Sequence, residues 1–260
     1  MLDLSTATLM EPELRRLWFT SDQHWVHPNI IEHCRRPFGS VEEMNEGLVR
    51  SWNETIPEKV GRSEPVVVLL GDVIFGREGQ DWTKDSIRKL LARLHGRIYL
   101  IEGNHDRQTE IAKWCDRFEA VHTQLEIKFR DPLFHPTEKG RIVCNHYRMT
   151  TWNGAARGSF HCYGHWHGSD GIWPTLEDLA NFEKWLHHYE LDQEEHGSWE
   201  EYAPQVRRGK ERLQQLRRLH NVRALDVAWD KWRKPLSYPE VRDWMLQRSP
   251  ICLVDADERH

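Results

Sequence analysis

Asp22 and His24, in the stretch Phe19-Thr20-Ser21-Asp22-Gln23-His24, open a series of short polar motifs built from residues that ligate divalent metals. Downstream follow Gly71-Asp72, Gly103-Asn104-His105-Asp106, Asn145-His146 and Gly164-His165-Trp166-His167. Carboxylates and imidazoles suit zinc, manganese or iron, and a neutral Asn among them leaves positive charge for an anion. The chemistry this set points to is hydrolysis of a phosphate ester, with metal polarising the phosphoryl group and activating water. Each motif alone is weak. A His-x-His at a strand end is more often a surface pair, and Asp72 could simply cap a turn.

Ligands scattered from 22 to 167 meet only if the fold gathers them. Each motif follows a short apolar run: Leu17-Trp18-Phe19, Val66-Val67-Val68-Leu69-Leu70, Ile98-Tyr99-Leu100-Ile101, Ile142-Val143-Cys144 and Phe160-His161-Cys162-Tyr163. Length and β-branched or aromatic content make these buried strands. The motifs then fall at the carboxyl ends of strands, where loops of layered α/β proteins converge over a crevice. Helical patterns alternate with the strands. Ser40 and Glu43 form a capping-box pattern before Met44, Leu48, Val49 and Trp52. Ile87, Leu90, Leu91 and Leu94 repeat the spacing, and Ser237 with Glu240 opens a further helix through Val241, Trp244 and Met245.

The order Asp-x-His, Gly-Asp, Gly-Asn-His-Asp, His, Gly-His-x-His resembles the calcineurin-like metallophosphoesterase superfamily. His24-Trp25-Val26-His27-Pro28-Asn29-Ile30-Ile31, Arg36-Pro37-Phe38, Met44-Asn45, Leu225-Asp226-Val227-Ala228-Trp229-Asp230 and Lys234-Pro235-Leu236-Ser237 resemble its compact bacterial and phage branch. The resemblance covers roughly residues 15 to 170 and 222 to 246. It implies an α/β fold with a layered β-sandwich core flanked by helices, in a four-layer α/β/β/α arrangement. It further implies that Asp22, His24 and His167 hold one metal, that Asn104, His146 and His165 hold the other, and that Asp72 bridges them. A hydroxide shared by the two ions would attack phosphorus. His105 would stabilise developing charge or protonate the leaving oxygen, with Asp106 orienting its imidazole through the second ring nitrogen. The same pair is compatible with a cap for a helix beginning near Thr109. Two divalent ions are the expected cofactors, manganese first, with iron, zinc and nickel as alternatives.

Other residues near the motifs are candidate substrate contacts. His27 could point at the same mouth as His24, or bond to backbone as a structural residue. Arg36 and Arg148 could clamp phosphate oxygens bidentately, or stand solvated. Of the thirteen tryptophans, Trp25, Trp152 and Trp166 adjoin motifs and are candidates to stack a base, while the rest read as core.

A chain of 260 residues with 38% hydrophobic and 30% charged residues reads as one globular domain over 1–260. No apolar run is long enough to cross a bilayer, and no signal-peptide pattern opens the chain. Five cysteines without a Cys-x-x-Cys pair suggest a reducing, cytoplasmic setting. The net charge of -5 disfavours long nucleic acid and favours a small nucleotide-like phosphate ester, with dinucleoside polyphosphate hydrolysis and nuclease activity as alternatives. A catalytically silent binding scaffold is the non-enzymatic alternative, but such a derivative is expected to lose ligands, and here each ligand position is filled. The segment at about 171–221 departs from the compact pattern. Leu176, Leu179, Phe182, Leu186 and Tyr189, then Val206, Leu213, Leu216 and Leu219, predict an inserted helical hairpin, and a flexible tail is expected at about 249–260.

Overall fold

Val66-Val67-Val68-Leu69 carries no polar side chain because the strand it forms is buried on both faces, as the middle of a parallel sheet requires. The computed structural model describes residues 3–134, 139–168, 183–184, 187, 207–211 and 223–248. In chain order its strands are β1 (Thr8–Leu9), β2 (Leu17–Thr20), β3 (Val66–Leu69), β4 (Arg97–Ile101), β5 (Phe118–His122), β6 (Gln124–Arg130), β7 (Lys139–Asn145), β8 (Phe160–Tyr163), β9 (Ala224–Asp226) and β10 (Leu236–Ser237). Its helices are α1 (Glu11–Leu14), α2 (Pro28–His33), α3 (Val41–Thr55), α4 (Lys84–Leu91), α5 (Asn104–Thr109), α6 (Ile111–Trp114), α7 (Trp229–Trp232) and α8 (Tyr238–Leu246).

The strands form two five-stranded sheets, ordered β10-β2-β3-β4-β5 and β1-β6-β7-β8-β9. In the first, β2 to β5 run parallel and β10 antiparallel. In the second, β7, β8 and β9 run parallel, while β6 pairs antiparallel with β7. Alternation along the strands explains the layering. Leu17, Phe19, Val66, Val68, Tyr99 and Ile101 pack in one cluster with Leu125, Ile127, Phe129, Ile142, Cys144 and Phe160 of the second sheet. Trp18, Val67, Leu69, Ile98 and Leu100 point the other way, onto Met44, Leu48, Val49 and Trp52 of α3 and Ile87 and Leu91 of α4. The result is the expected layered α/β fold, two sheets face to face with helices flanking them.

Capping largely follows the sequence. The Ser40 hydroxyl accepts the Glu43 N–H at 3.2 Å, but the Glu43 carboxylate reaches back to the Gly39 N–H at 2.7 Å, one residue before the usual box partner. The helical hairpin expected at 171–221 falls mostly outside the described residues, although 183–184, 187 and 207–211 are helical. The tail at 249–260 also lies outside them. Among the described residues no helix is long and apolar enough to cross a membrane.

One buried polar residue of β8 gives a stability test. His161 Nδ1 lies 2.9 Å from the Val143 carbonyl oxygen, and its Nε2 accepts the Met149 N–H at 3.0 Å, so the ring is the neutral Nδ1–H tautomer. Burial holds its pKa down at about 4, against an ordinary 6.5. As pH falls from 6.5 towards 4, the unfolded chain takes up a proton that the folded chain refuses. Stability is therefore lost on acidification, by about 1.4 kcal/mol per pH unit across that window. Urea unfolding should show wild type losing about 1.5 kcal/mol more than His161→Gln between pH 6.5 and 5, because the slope is only half-developed at the unfolded pKa. Equal losses in the two proteins would contradict this.

Candidate metal centre

The polar motifs occupy loops at the carboxyl ends of β2, β3, β4, β7 and β8, and backbone hydrogen bonds stitch those loops together. Asp22 N–H donates to Gly71 O at 3.0 Å, His24 N–H to Asp72 O at 3.0 Å, and Gly164 N–H to His146 O at 2.9 Å. The backbone here is unusual. Asp22, His24, Asp72, His165 and His167 have φ of 58°, 50°, 55°, 73° and 51°. A left-handed conformation costs an L-residue roughly 1–2 kcal/mol and persists where the surroundings over-determine it, typically at functional sites. Two glycines are needed for close approach. A Cβ on Gly71, whose φ is 89°, would lie 2.5 Å from His146 Nδ1, and one on Gly164 would lie 2.5 Å from Asp22 Oδ2.

These loops gather the ligand candidates into two adjoining groups, Asp22 with His24 and His167, and Asp72 with His146 and His165, the ligand atoms of each within 4.8 Å of one another. In the first, His24 Nε2 and His167 Nε2 lie 4.0 and 3.6 Å from Asp22 Oδ1. In the second, His146 Nε2 lies 3.5 Å from Asp72 Oδ2 and 3.2 Å from Asn104 Oδ1. Asp72 Oδ2 is also 3.5 Å from His24 Nε2, so a single carboxylate oxygen faces both groups. Its other oxygen accepts the His105 N–H at 3.0 Å.

The donor set fits cations. His24 is 2% exposed, and among the described residues neither ring nitrogen has a hydrogen-bond partner. Burial, with the His167 and Arg36 charges beside it, holds its pKa well below the ordinary value, leaving a neutral ring with a lone pair to give. The carboxylates meanwhile call for positive charge. Burial opposes protonation of His146, but Asp72 and Asp22 push it up to about 9. Burial likewise opposes protonation of His167, but Asp230, Cys34 and Asp22 push it up to about 11. Divalent ions among these atoms would displace those protons and give the orphaned His24 Nε2, which faces Asp22 and Asp72, a partner for its lone pair.

The surrounding residues depart from expectation in several places. Helix α5 starts at Asn104 rather than near Thr109, which puts Asn104 and His105 on its first turn. Among the described residues, Asp106 makes no hydrogen bond to the His105 ring. Its carboxylate is fully buried and accepts the N–H groups of Asp72 and Val73 at 2.8 Å and of Gly103 at 2.9 Å, clamping the loops after β3 and β4 together. Burial, reinforced by the Asp72 charge, outweighs those donors and pushes its pKa to about 6. His105 Nδ1 has no partner among the described residues, while Nε2 stands 3.8 Å from Asp72 Oδ2.

Arg36 is not poised for a phosphate. It is 4% exposed, and its donors go to both Asp230 oxygens at 2.8 Å, to Asp22 O at 2.8 Å and to Gln23 O at 2.7 Å. Arg148 lies over the Tyr163 ring, 5.4 Å from its centroid, and donates to the Tyr163 hydroxyl at 3.3 Å. His27 sits beside the cluster, its ring 5.5 Å from His24 and 4.0 Å from Phe75. Burial keeps it near a pKa of about 4. Trp25 and Trp152 are 0% and 6% exposed and so are closed to a base, whereas Trp166 meets His165 edge-on at 5.5 Å.

Sequence reading passed over several residues that build this site. Asp226 accepts the Gly168 N–H at 2.8 Å and ties down the loop bearing His167. Asp230 holds His167 Nδ1 at 2.7 Å. Tyr147, 38% exposed, packs edge-on to His146 and His165, and Phe75 does so against His105. The available signals were the Asp226–Asp230 segment that carried the resemblance and the position of Tyr147 next to a ligand.

The family model described as Calcineurin-like phosphoesterase matches residues 15–224. Over 94 residues the chain is 39% identical to an uncharacterized protein of Methanocaldococcus jannaschii; the match spans 36% of this chain and 48% of that relative, about half its length. A solved structure of a protein of unknown function from Aquifex aeolicus is similar at 15% identity and a TM-score of 0.48, covering 88% of this chain and 98% of that one.

Proposed function

Because this chain belongs to the calcineurin-like phosphoesterase family, we propose that it hydrolyses a phosphate ester at a dinuclear centre held by Asp22, His24, Asp72, Asn104, His146, His165 and His167. The observation that carries this reading is Asp72 Oδ2, which faces histidines of both groups at 3.5 Å. Two divalent ions, manganese first among the candidates, would supply Lewis acidity toward phosphoryl oxygens and lower the pKa of water. The protein's part is placement and charge. Asn104 would contribute a neutral oxygen where a carboxylate would repel phosphate, and His105 would donate a hydrogen bond or proton to the leaving oxygen, a role that its partly exposed side chain supports. Phe75 and Tyr147 flank the cluster and support a small nucleotide-like substrate, since aromatic faces stack on bases. The free thiols of Cys34, Cys115, Cys144 and Cys162 fit a cytoplasmic setting.

Purified protein with added manganese should cleave an aryl phosphodiester or phosphomonoester, and a chelator should stop it. A panel of nucleotides, cyclic nucleotides, dinucleoside polyphosphates and short oligonucleotides then ranks substrates. His105→Ala should lower kcat by about 10²–10⁴-fold, the usual contribution of a positioned acid. Metal-loaded protein that cleaves no member of the panel would defeat the reading.

A further inference from the structure

His167 has two ring nitrogens with different tasks. Nε2 faces Asp22 Oδ1 at 3.6 Å, inside the candidate centre, while Nδ1 lies 2.7 Å from Asp230 Oδ2, outside it. Asp230 is itself fixed. Its side chain is 3% exposed, and Arg36 grips it with Nε on Oδ1 and Nη2 on Oδ2, both at 2.8 Å. The remaining Arg36 donors reach the carbonyls of Asp22 and Gln23, in the loop that carries the first ligands. The guanidinium also lies 5.3 Å from the centroid of the Trp229 ring. A continuous set of short contacts therefore runs from the Asp22 loop through Arg36 and Asp230 to the His167 ring.

His146 shows the contrast, since its Nδ1 rests on a neutral backbone oxygen, Leu70 O, at 2.7 Å. A carboxylate accepting from Nδ1–H makes a charge-assisted bond, fixes the tautomer whose Nε2 lone pair points at the ion, and raises ligand basicity. Arg36 offsets the charge, so Asp230 can stay ionised where it is buried.

We propose that Asp230, locked by Arg36, is a positioning residue for His167 as a metal ligand. This rests on the dinuclear reading above. The consequence is selective, because removing the Asp230 charge should weaken the ion shared by Asp22, His24 and His167 and spare the ion held by Asn104, His146 and His165.

Manganese titration by calorimetry, with metal analysis after dialysis, tests this on the full chain. Wild type should take up two equivalents. Asp230→Asn should bind one at wild-type affinity and the other on the order of 10–100-fold more weakly, the usual cost of losing such a partner, and Asp230→Glu should recover most of that loss. A merely structural role would weaken both equivalents together and lower the unfolding midpoint of the metal-free protein in step. That outcome, or an unchanged Asp230→Asn isotherm, overturns the proposal. A second readout needs no variant: ¹⁵N–¹H spectra of zinc-loaded wild type should show His167 protonated at Nδ1, and an Nε2–H tautomer overturns it too. A wild-type isotherm with a single equivalent fells the dinuclear reading, and this proposal with it, whereas two wild-type equivalents with an unmoved variant fell this proposal alone.

Discussion

Asp72→Ala should lose metal and activity together, with kcat/KM lowered by at least about 10³-fold, since several kcal/mol of metal-borne transition-state stabilisation is at stake and each 1.36 kcal/mol is tenfold. The reason is geometric. Asp72 Oδ2 stands 3.5 Å from both His24 Nε2 and His146 Nε2, so its removal takes charge from both groups at once. Asp22 Oδ1 lies 4.0 and 3.6 Å from His24 Nε2 and His167 Nε2, and toward the second group its carboxylate accepts the His165 backbone N–H rather than facing a ring nitrogen. Asp22→Ala should therefore lower metal content by one equivalent and Asp72→Ala by more. Asp72→Asn keeps shape and loses charge, and it should resemble the alanine variant. Metal analysis after dialysis and a single activity assay check all three. An Asp72→Ala protein that keeps both ions, or the wild-type rate, would remove Asp72 from the bridging position.

What the sequence made legible, and what it hid, follow from the range of the interactions. Strands β2, β3, β4 and β8 were readable because parallel strands buried on both faces leave continuous apolar runs, and the ligands stand just past their ends. Strand β6, Gln124–Arg130, is less legible, since it alternates exposed and buried side chains instead of forming a continuous apolar run and no ligand motif follows it. Arg36 is neither a clamp nor solvated, for a different reason. An arginine near a phosphate motif looks like a clamp, but its partner Asp230 lies 194 residues away, and burial of that pair is a property of the fold alone. The positive φ of Asp22, His24, Asp72, His165 and His167 falls on residue types that tolerate it better than most, but the chain holds many other Asp and His residues and nothing local marks these five.

Asp106→Ala should damage the fold before it damages the chemistry, costing about 3–5 kcal/mol once the relief of burying a carboxylate is set against unsatisfied N–H groups at roughly 1–3 kcal/mol each. The buried carboxylate accepts from Asp72, Val73 and Gly103, and among the described residues the structure offers those donors no substitute once it is gone. Asp106→Asn should fall between. Its amide oxygen can replace Oδ2, which serves Asp72 and Gly103, while its NH₂ must then confront the Val73 N–H. For a chain of 260 residues the alanine variant should melt roughly 6–20 °C lower, at about 2–4 °C per kcal/mol. The comparison belongs in chelator, so that lost metal does not pass for lost packing. Activity should then fall as a secondary effect, through displacement of Asp72. The alternative role, orienting the His105 imidazole, predicts the reverse pattern: a lowered kcat with an unshifted melting point. Because His105 Nδ1 has no partner among the described residues while Asp106 is saturated by backbone donors, the melting point is the quantity that should move first.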